Sequence, residues 1–77
     1  MERIIGILEK IRPDIDFRLE KELIDGGLFN SFDILELVEA LADEYDIDIK
    51  PAELVPQNFN SAEAIYEMMQ RLLNEEL

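Results

Sequence analysis

The residues of this chain best placed to do chemistry gather in one stretch, GGLFNSFDILELVEAL, at positions 26 to 41. Its single serine, Ser31, stands where a helix is about to begin, with Phe29 and Phe32 close on either side and carboxylates following at Asp33, Glu36 and Glu39. A hydroxyl in that place can be a nucleophile, a capping group, or the acceptor of a group installed by another enzyme. The first role is poorly supplied. The chain has no histidine to act as a base. A Ser-Lys arrangement would have to recruit Lys10, Lys21 or Lys50 from distant segments, and 77 residues leave little room for a substrate cleft. The expectation is a non-catalytic protein with no catalytic residue of its own. The absence of cysteine also removes disulfides, thiolate metal sites and a cysteine nucleophile, so any thiol has to be imported. Capping explains many serines at helix starts. Modification also suits the position, because a phosphodiester attached at the positive end of a helix dipole meets free backbone N–H groups.

The acids offer no metal site either. An EF-hand loop begun at Asp46 has Asp48 at its third position, but Lys50 at its fifth and Pro51 where glycine is required. The net charge of −12 is unevenly placed. Residues 1 to 21 hold five bases (Arg3, Lys10, Arg12, Arg18 and Lys21) against five acids, whereas residues 22 to 49 hold nine acids and no base. Such a block repels phosphate backbones and anionic membranes and attracts basic protein patches. No nucleic acid and no membrane is expected as a partner. Apolar residues make up 48% of the chain, enough to argue against disorder, and MERIIGILEK is neither a secretory signal nor a membrane span. A cytoplasmic, monomeric protein of one domain, residues 1–77, is expected.

The elements that must position Ser31 follow from periodicity. Apolar residues at 4, 7, 8 and 11 predict a first helix over about residues 2 to 12, ended by Pro13. A long connection over residues 13 to 30 closes on the Gly26-Gly27 turn signal, with Phe17, Leu23, Ile24 and Leu28 as anchors onto the core. The second helix runs from about 31 to 45, capped by Asn30 with Asp33 at its third position. Ile47 and Ile49 read as plugs on an extended connection. PAEL at 51 to 54 predicts a single helical turn stopped by Pro56, and Asn60 with Glu63 predicts a capping box opening a last helix. Ile65, Met68, Met69 and Leu72 form that helix's buried stripe. The predicted class is all-α, a small bundle of three longer helices and one short one.

At ~100° per residue, Ile34, Leu37, Val38, Leu41, Ala42 and Tyr45 share one side of the second helix. Asp33, Glu36, Glu39, Asp43 and Glu44 occupy an opposite, wet arc. Phe32 projects into the middle of that arc and Leu35 onto its border. A partner contact or burial under the long loop would each account for Phe32. The like-charge pairs Asp33/Glu36, Glu36/Glu39 and Glu39/Asp43 each oppose the helix by ~0.2–0.5 kcal/mol, which favours a recognition role over solubility alone.

The run NSFDILELVEAL resembles the acyl carrier protein signature, in which Asp-Ser-Leu-Asp opens the second helix and a Val-Glu-Leu-Val-like run continues it. The order and spacing of the other segments, with AELV as a short third element and NSAEAIYEMM as the fourth, are similar to that four-helix bundle. The resemblance implies that a phosphopantetheinyl transferase moves 4′-phosphopantetheine from coenzyme A onto Ser31, and that acyl groups ride on the arm as thioesters. It implies that Asp33 helps orient the transferase. It also implies that Phe32, Leu35, Glu36, Glu39 and Asp43 form a docking face for the transferase and for acyl-transfer or synthase enzymes with basic patches. Asn30 stands where the family usually has Asp, keeping a capping oxygen but losing a charge. By the same likeness, slack in the bundle would shelter an acyl chain against Leu41, Leu54 and Ile65. The density of acid leans toward fatty acid biosynthesis, with a D-alanyl or other aminoacyl carrier as the alternative. An unmodified acidic adaptor that binds a basic protein through Phe32 is the rival from another class.

Overall fold

Helix α1 (Glu2–Ile11) buries Ile4, Ile5 and Leu8, so its inner face is turned slightly from the 4, 7, 8, 11 stripe and leaves Ile7 and Ile11 half-buried. It ends at Arg12, whose φ of −135° and ψ of 85° lie outside the helical region, as the clash with Pro13 requires. The structure, a computed structural model, describes residues 1–76. Beyond the long connection come α2 (Ser31–Tyr45), a 3-10 turn (Pro51–Glu53), α3 (Pro56–Phe59) and α4 (Ala62–Glu76). Helix α1 packs on α2 and α4, and α3 packs on α4. The result is the expected all-α bundle of three longer helices and one short one.

The core is continuous across these elements. Leu37 and Leu41 enter it from α2, Phe59 from α3, and Ala62, Ile65, Met68, Met69 and Leu72 from α4, so the predicted stripe of the last helix is buried. Ile49 is buried and Ile47 half-buried on the extended segment after α2, the plugging role their alternation suggested. That segment leaves α2 through Asp46, which adopts the left-handed conformation at φ 53° and donates its N–H to Ala42 O. Aspartate tolerates this geometry better than most residues because its short polar side chain bonds locally.

The connection between α1 and α2 is anchored by Ile15, Phe17, Leu23 and Phe29, with the rings of Phe17 and Phe29 meeting edge to face at 5.9 Å. Leu28, expected as an anchor, is instead 37% exposed, and Phe29 takes its place. The Gly26-Gly27 pair is a steric requirement. A Cβ at Gly26 would lie 2.6 Å from Glu22 O, and Gly27 has a φ of 77° that side chains disfavour.

Two expectations about the C-terminal half are corrected. Pro56 does not merely stop the preceding turn: it occupies the first position of α3, where its missing N–H and fixed φ suit a helix start. Nor does Asn60 cap α4. Ser61 does, its Oγ accepting the Ala64 N–H at 3.0 Å. Asn60 faces the long connection. Its Oδ1 accepts from the N–H groups of Ile24 and Asp25 at 3.0 Å each, its Nδ2 donates to Asp25, and its carbonyl accepts from Leu23 N at 2.8 Å. Glu63, without a capping role, lies on the surface 3.8 Å from Lys21.

Substitution should therefore rank opposite to a capping scheme centred on Asn60. Asn60→Ala strips acceptors from two loop N–H groups and should cost ~2 kcal/mol in urea unfolding, against ~1 kcal/mol for Ser61→Ala. The reverse ranking would return the cap to Asn60.

Candidate functional site

Ser31 is the first residue of α2, and it is exposed. Its surroundings are set by a reciprocal cap: Asn30 Oδ1 accepts the Asp33 N–H at 2.9 Å and Asp33 Oδ2 accepts the Asn30 N–H at 3.2 Å. With Ile34 N bonded to Asn30 O, the N–H groups of Ser31 and Phe32 are left without an acceptor inside the helix. The serine hydroxyl thus stands beside free donors at the positive end of a 15-residue helix.

Asp33 departs from the wet arc in which periodicity placed it. It is only 6% exposed, because Arg12, from the end of α1, reaches across to it. Arg12 Nη1 donates to Asp33 Oδ2 at 3.0 Å and to Leu28 O at 2.8 Å, while Nε and Nη2 grip Asp14 as a fork at 3.0 and 2.8 Å. These contacts hold Arg12 firmly protonated, through the hydrogen bond to Asp14 first and that to Asp33 second, and the Arg12 fork pushes the Asp14 carboxyl below its ordinary range. No sequence signal marks the reach of Arg12 to the Ser31 segment, since the two groups it meets there lie 16 and 21 residues downstream.

Phe32 is 68% exposed and Leu35 60%, so burial of Phe32 under the loop is ruled out and both side chains stand free on the surface. Ser31, Ile34, Leu35 and Leu54 line a shallow apolar trough. Sharing Ile34 and Leu54 with it is a deeper apolar cavity of about 120 Å³, completed by Ile24, Val55, Pro56 and Phe59. Of the three residues expected to line a shelter, only Leu54 does. Leu41 and Ile65 are wholly enclosed in the core, whereas the opening lies between α2, the loop and α3. Leu54 follows Glu53, whose carboxylate pairs with Arg71 of α4 and accepts from Asn58, tying the turn to α4. Arg71 above all keeps the Glu53 carboxyl below its ordinary range.

Charge is sorted with equal consistency. Among the described residues, six of the seven Lys and Arg lie in ion pairs: Arg3 with Glu44, Arg12 with Asp14 and Asp33, Arg18 with Glu2, Lys21 with Glu63, Lys50 with Asp48, and Arg71 with Glu53 and Glu75. On α2, Glu44 and Asp33 are thereby matched. Glu36, Glu39 and Asp43 are exposed, and among the described residues they have no ion-pair partner. Their field surrounds Phe32 and Leu35, the arrangement a basic partner with an apolar centre would fit. No helix among the described residues is long and apolar enough to cross a membrane.

Comparison with known proteins finds similarity along most of the chain. Aminoacyl carrier protein 1 of Bradyrhizobium diazoefficiens is 34% identical over 64 residues, 83% of this chain and 70% of that protein. The D-alanyl carrier protein of Lactococcus lactis subsp. cremoris is 29% identical over 76 residues, 96% of each chain. That of Streptococcus sanguinis is 28% identical over 72 residues, 92% of this chain and 91% of its own. No family profile and no solved structure matches the chain.

The unmatched acids give this face a measurable signature. Glu39→Lys replaces repulsion toward Glu36 and Asp43 with attraction, and should stabilise the fold by ~0.5–1 kcal/mol, raising the melting temperature by ~4 °C at low ionic strength. A fall in melting temperature would mean that Glu39 is held by contacts other than those described.

Proposed function

The chain belongs to the acyl carrier protein family, and from that premise we propose that Ser31 carries a 4′-phosphopantetheine arm whose thiol holds a small acyl or aminoacyl group as a thioester. The observation that carries this reading is the exposure of Ser31 at the first position of α2, at the rim of an apolar trough. The free N–H groups of Ser31 and Phe32 would face the phosphodiester, and the helix dipole would favour its charge. The arm supplies the thiol that a chain without cysteine lacks, and tethering raises the effective concentration of its cargo at a docked enzyme.

Phe32, Leu35, Glu36, Glu39 and Asp43 would meet a phosphopantetheinyl transferase and then acyl-transfer enzymes with basic patches. Asn30 and Asp33 flank the attachment point. Their reciprocal bond gives both a part in shaping the turn, and Asp33, buried and paired with Arg12, would act on the transferase through the turn rather than as a free charge.

A small cargo departs from the fatty-acid leaning of the sequence, and the relatives favour it. The relatives described above carry aminoacyl and D-alanyl in their names.

Intact mass measured after incubation with coenzyme A, magnesium and a promiscuous phosphopantetheinyl transferase should rise by one arm, and Ser31→Ala should abolish the rise. A chain that gains no mass with several transferases, yet binds a protein partner as Ser31→Ala, is the adaptor instead. Glu36→Lys with Glu39→Lys should raise the transferase KM for the carrier about tenfold at low salt, equivalent to ~1.4 kcal/mol, with the fold intact. Mass spectrometry of the thioester drawn from the native host should find an amino acid or short acyl group. A long fatty acyl group would overturn the cargo assignment and leave the carrier assignment standing.

A further inference from the structure

Arg12 sits outside the docking face and has no part in the core, yet it touches the backbone on one side of Ser31 and the cap on the other. Its Nη1 donates at once to Leu28 O and to Asp33 Oδ2, and that same carboxylate oxygen accepts the Asn30 N–H. Leu28, Asn30 and Asp33 bracket Ser31, so one guanidinium holds the segment that presents the hydroxyl. The guanidinium is itself fixed. Asp14 grips it as a fork, and Pro13 keeps Arg12 out of the helical region so that its side chain leaves the end of α1 toward the loop.

We propose that Arg12 is a positioning residue for the modification of Ser31: through Leu28 O and the Asp33 carboxylate it holds the hydroxyl in the attitude a docked transferase needs. This rests on the carrier function proposed above. In the step concerned, a bond forms between Ser31 Oγ and the phosphorus bearing the pantetheine arm, and the pyrophosphate P–O bond of coenzyme A breaks. The serine proton passes to the transferase and adenosine 3′,5′-bisphosphate leaves. Arg12 touches none of these atoms. It governs where Oγ stands, and displacement of a reacting atom by about 1 Å can cost about a hundredfold in rate.

Lysine is a poor substitute. Its ammonium is a point charge without the planar fork that grips Asp14 while reaching Leu28 O and Asp33 together. Glutamine keeps one amide donor and no charge. Both leave Phe32, Leu35, Glu36 and Glu39 untouched, which separates positioning from docking in kinetics: lost docking raises KM for the carrier, whereas a misplaced hydroxyl in a docked complex lowers kcat.

The test is steady-state transfer from coenzyme A to the full-length apo chain by one transferase. Arg12→Gln, Arg12→Lys and Asp14→Asn are compared with the unsubstituted protein at a temperature where thermal melts show each variant folded. Arg12→Gln should lower kcat at least tenfold with KM within twofold. Arg12→Lys should recover little of that loss, and Asp14→Asn, which loosens the grip on the guanidinium but spares its contact with Asp33, should give a smaller fall of about threefold. Should Arg12→Gln melt too low to assay, the milder Asp14→Asn decides by the same criterion. A folded variant with kcat within twofold of the unsubstituted chain overturns the proposal, and a rise in KM at unchanged kcat replaces positioning with docking. Failure of the unsubstituted chain to gain an arm overturns the carrier function, and this proposal with it, whereas normal transfer to the variants overturns the positioning role alone.

Discussion

A carboxylate taken out of water in so small a domain must be matched, and the pairing of Asp33 with Arg12 is the contact on which the geometry around Ser31 depends. Asp33 is the one buried charged side chain among the described residues. Deserting such a group generally costs several kcal/mol, and the figure is lower here because the Arg12 side chain remains 30% exposed. The pair ties the end of α1 to the start of α2 across a span of sequence in which no regular element intervenes. It converts two helix termini, each with unsatisfied backbone groups, into one hydrogen-bonded junction.

The connection between those termini is long for a domain of this size, and an irregular segment of that length is costly to hold in one conformation. Three devices hold it. Ile15, Phe17, Leu23 and Phe29 enter the core, Asn60 satisfies loop N–H groups from beyond α3, and Arg12 takes the Leu28 carbonyl. The segment is thereby pinned at its start, middle and end. Leu28 and Ser31 stay outward while Phe29 between them turns in, so the hydroxyl is presented from a surface that is itself well fixed.

Elsewhere the molecule uses its few cations to match acids other than Glu36, Glu39 and Asp43. Glu36, Glu39 and Asp43 remain beside one another at a small cost to helix stability, ringing two large apolar side chains that monomer packing would rather cover. Mixed charges would have served solubility with less repulsion. The combination is understandable where a surface must be recognised by a basic, partly apolar partner, and it lies next to the serine that such a partner would modify. In the apolar trough beside that serine and the cavity adjoining it, Leu54 and Ile34 form a common wall, and the Glu53–Arg71 pair ties the turn next to Leu54 to α4.

What the amino-acid sequence determined by itself was whatever is written in local order. The 3.6-residue period marked the three long helices and the buried stripe of the last one. Asn30 before the helix marked its cap, whereas the return bond from Asp33 and the exposure of Phe32, which burial under the loop could also have explained, were decided by the closed structure. Those signals span a few residues and are decided by backbone geometry. Only the tertiary structure decided how residues far apart divide the polar partners available to them. Asn60 was legible as a helix cap, yet the neighbouring Ser61 caps α4 and frees Asn60 for loop N–H groups 35 and 36 residues away. Asp33 belonged by angle to the wet arc, yet a guanidinium 21 positions earlier drew it inside. Leu28 and Phe29 differ little in apolar character, and it is Phe29 that turned inward, meeting the ring of Phe17 edge to face. A short window of sequence holds only one partner of each such contact, and the choice between competing partners is made when the chain closes on itself.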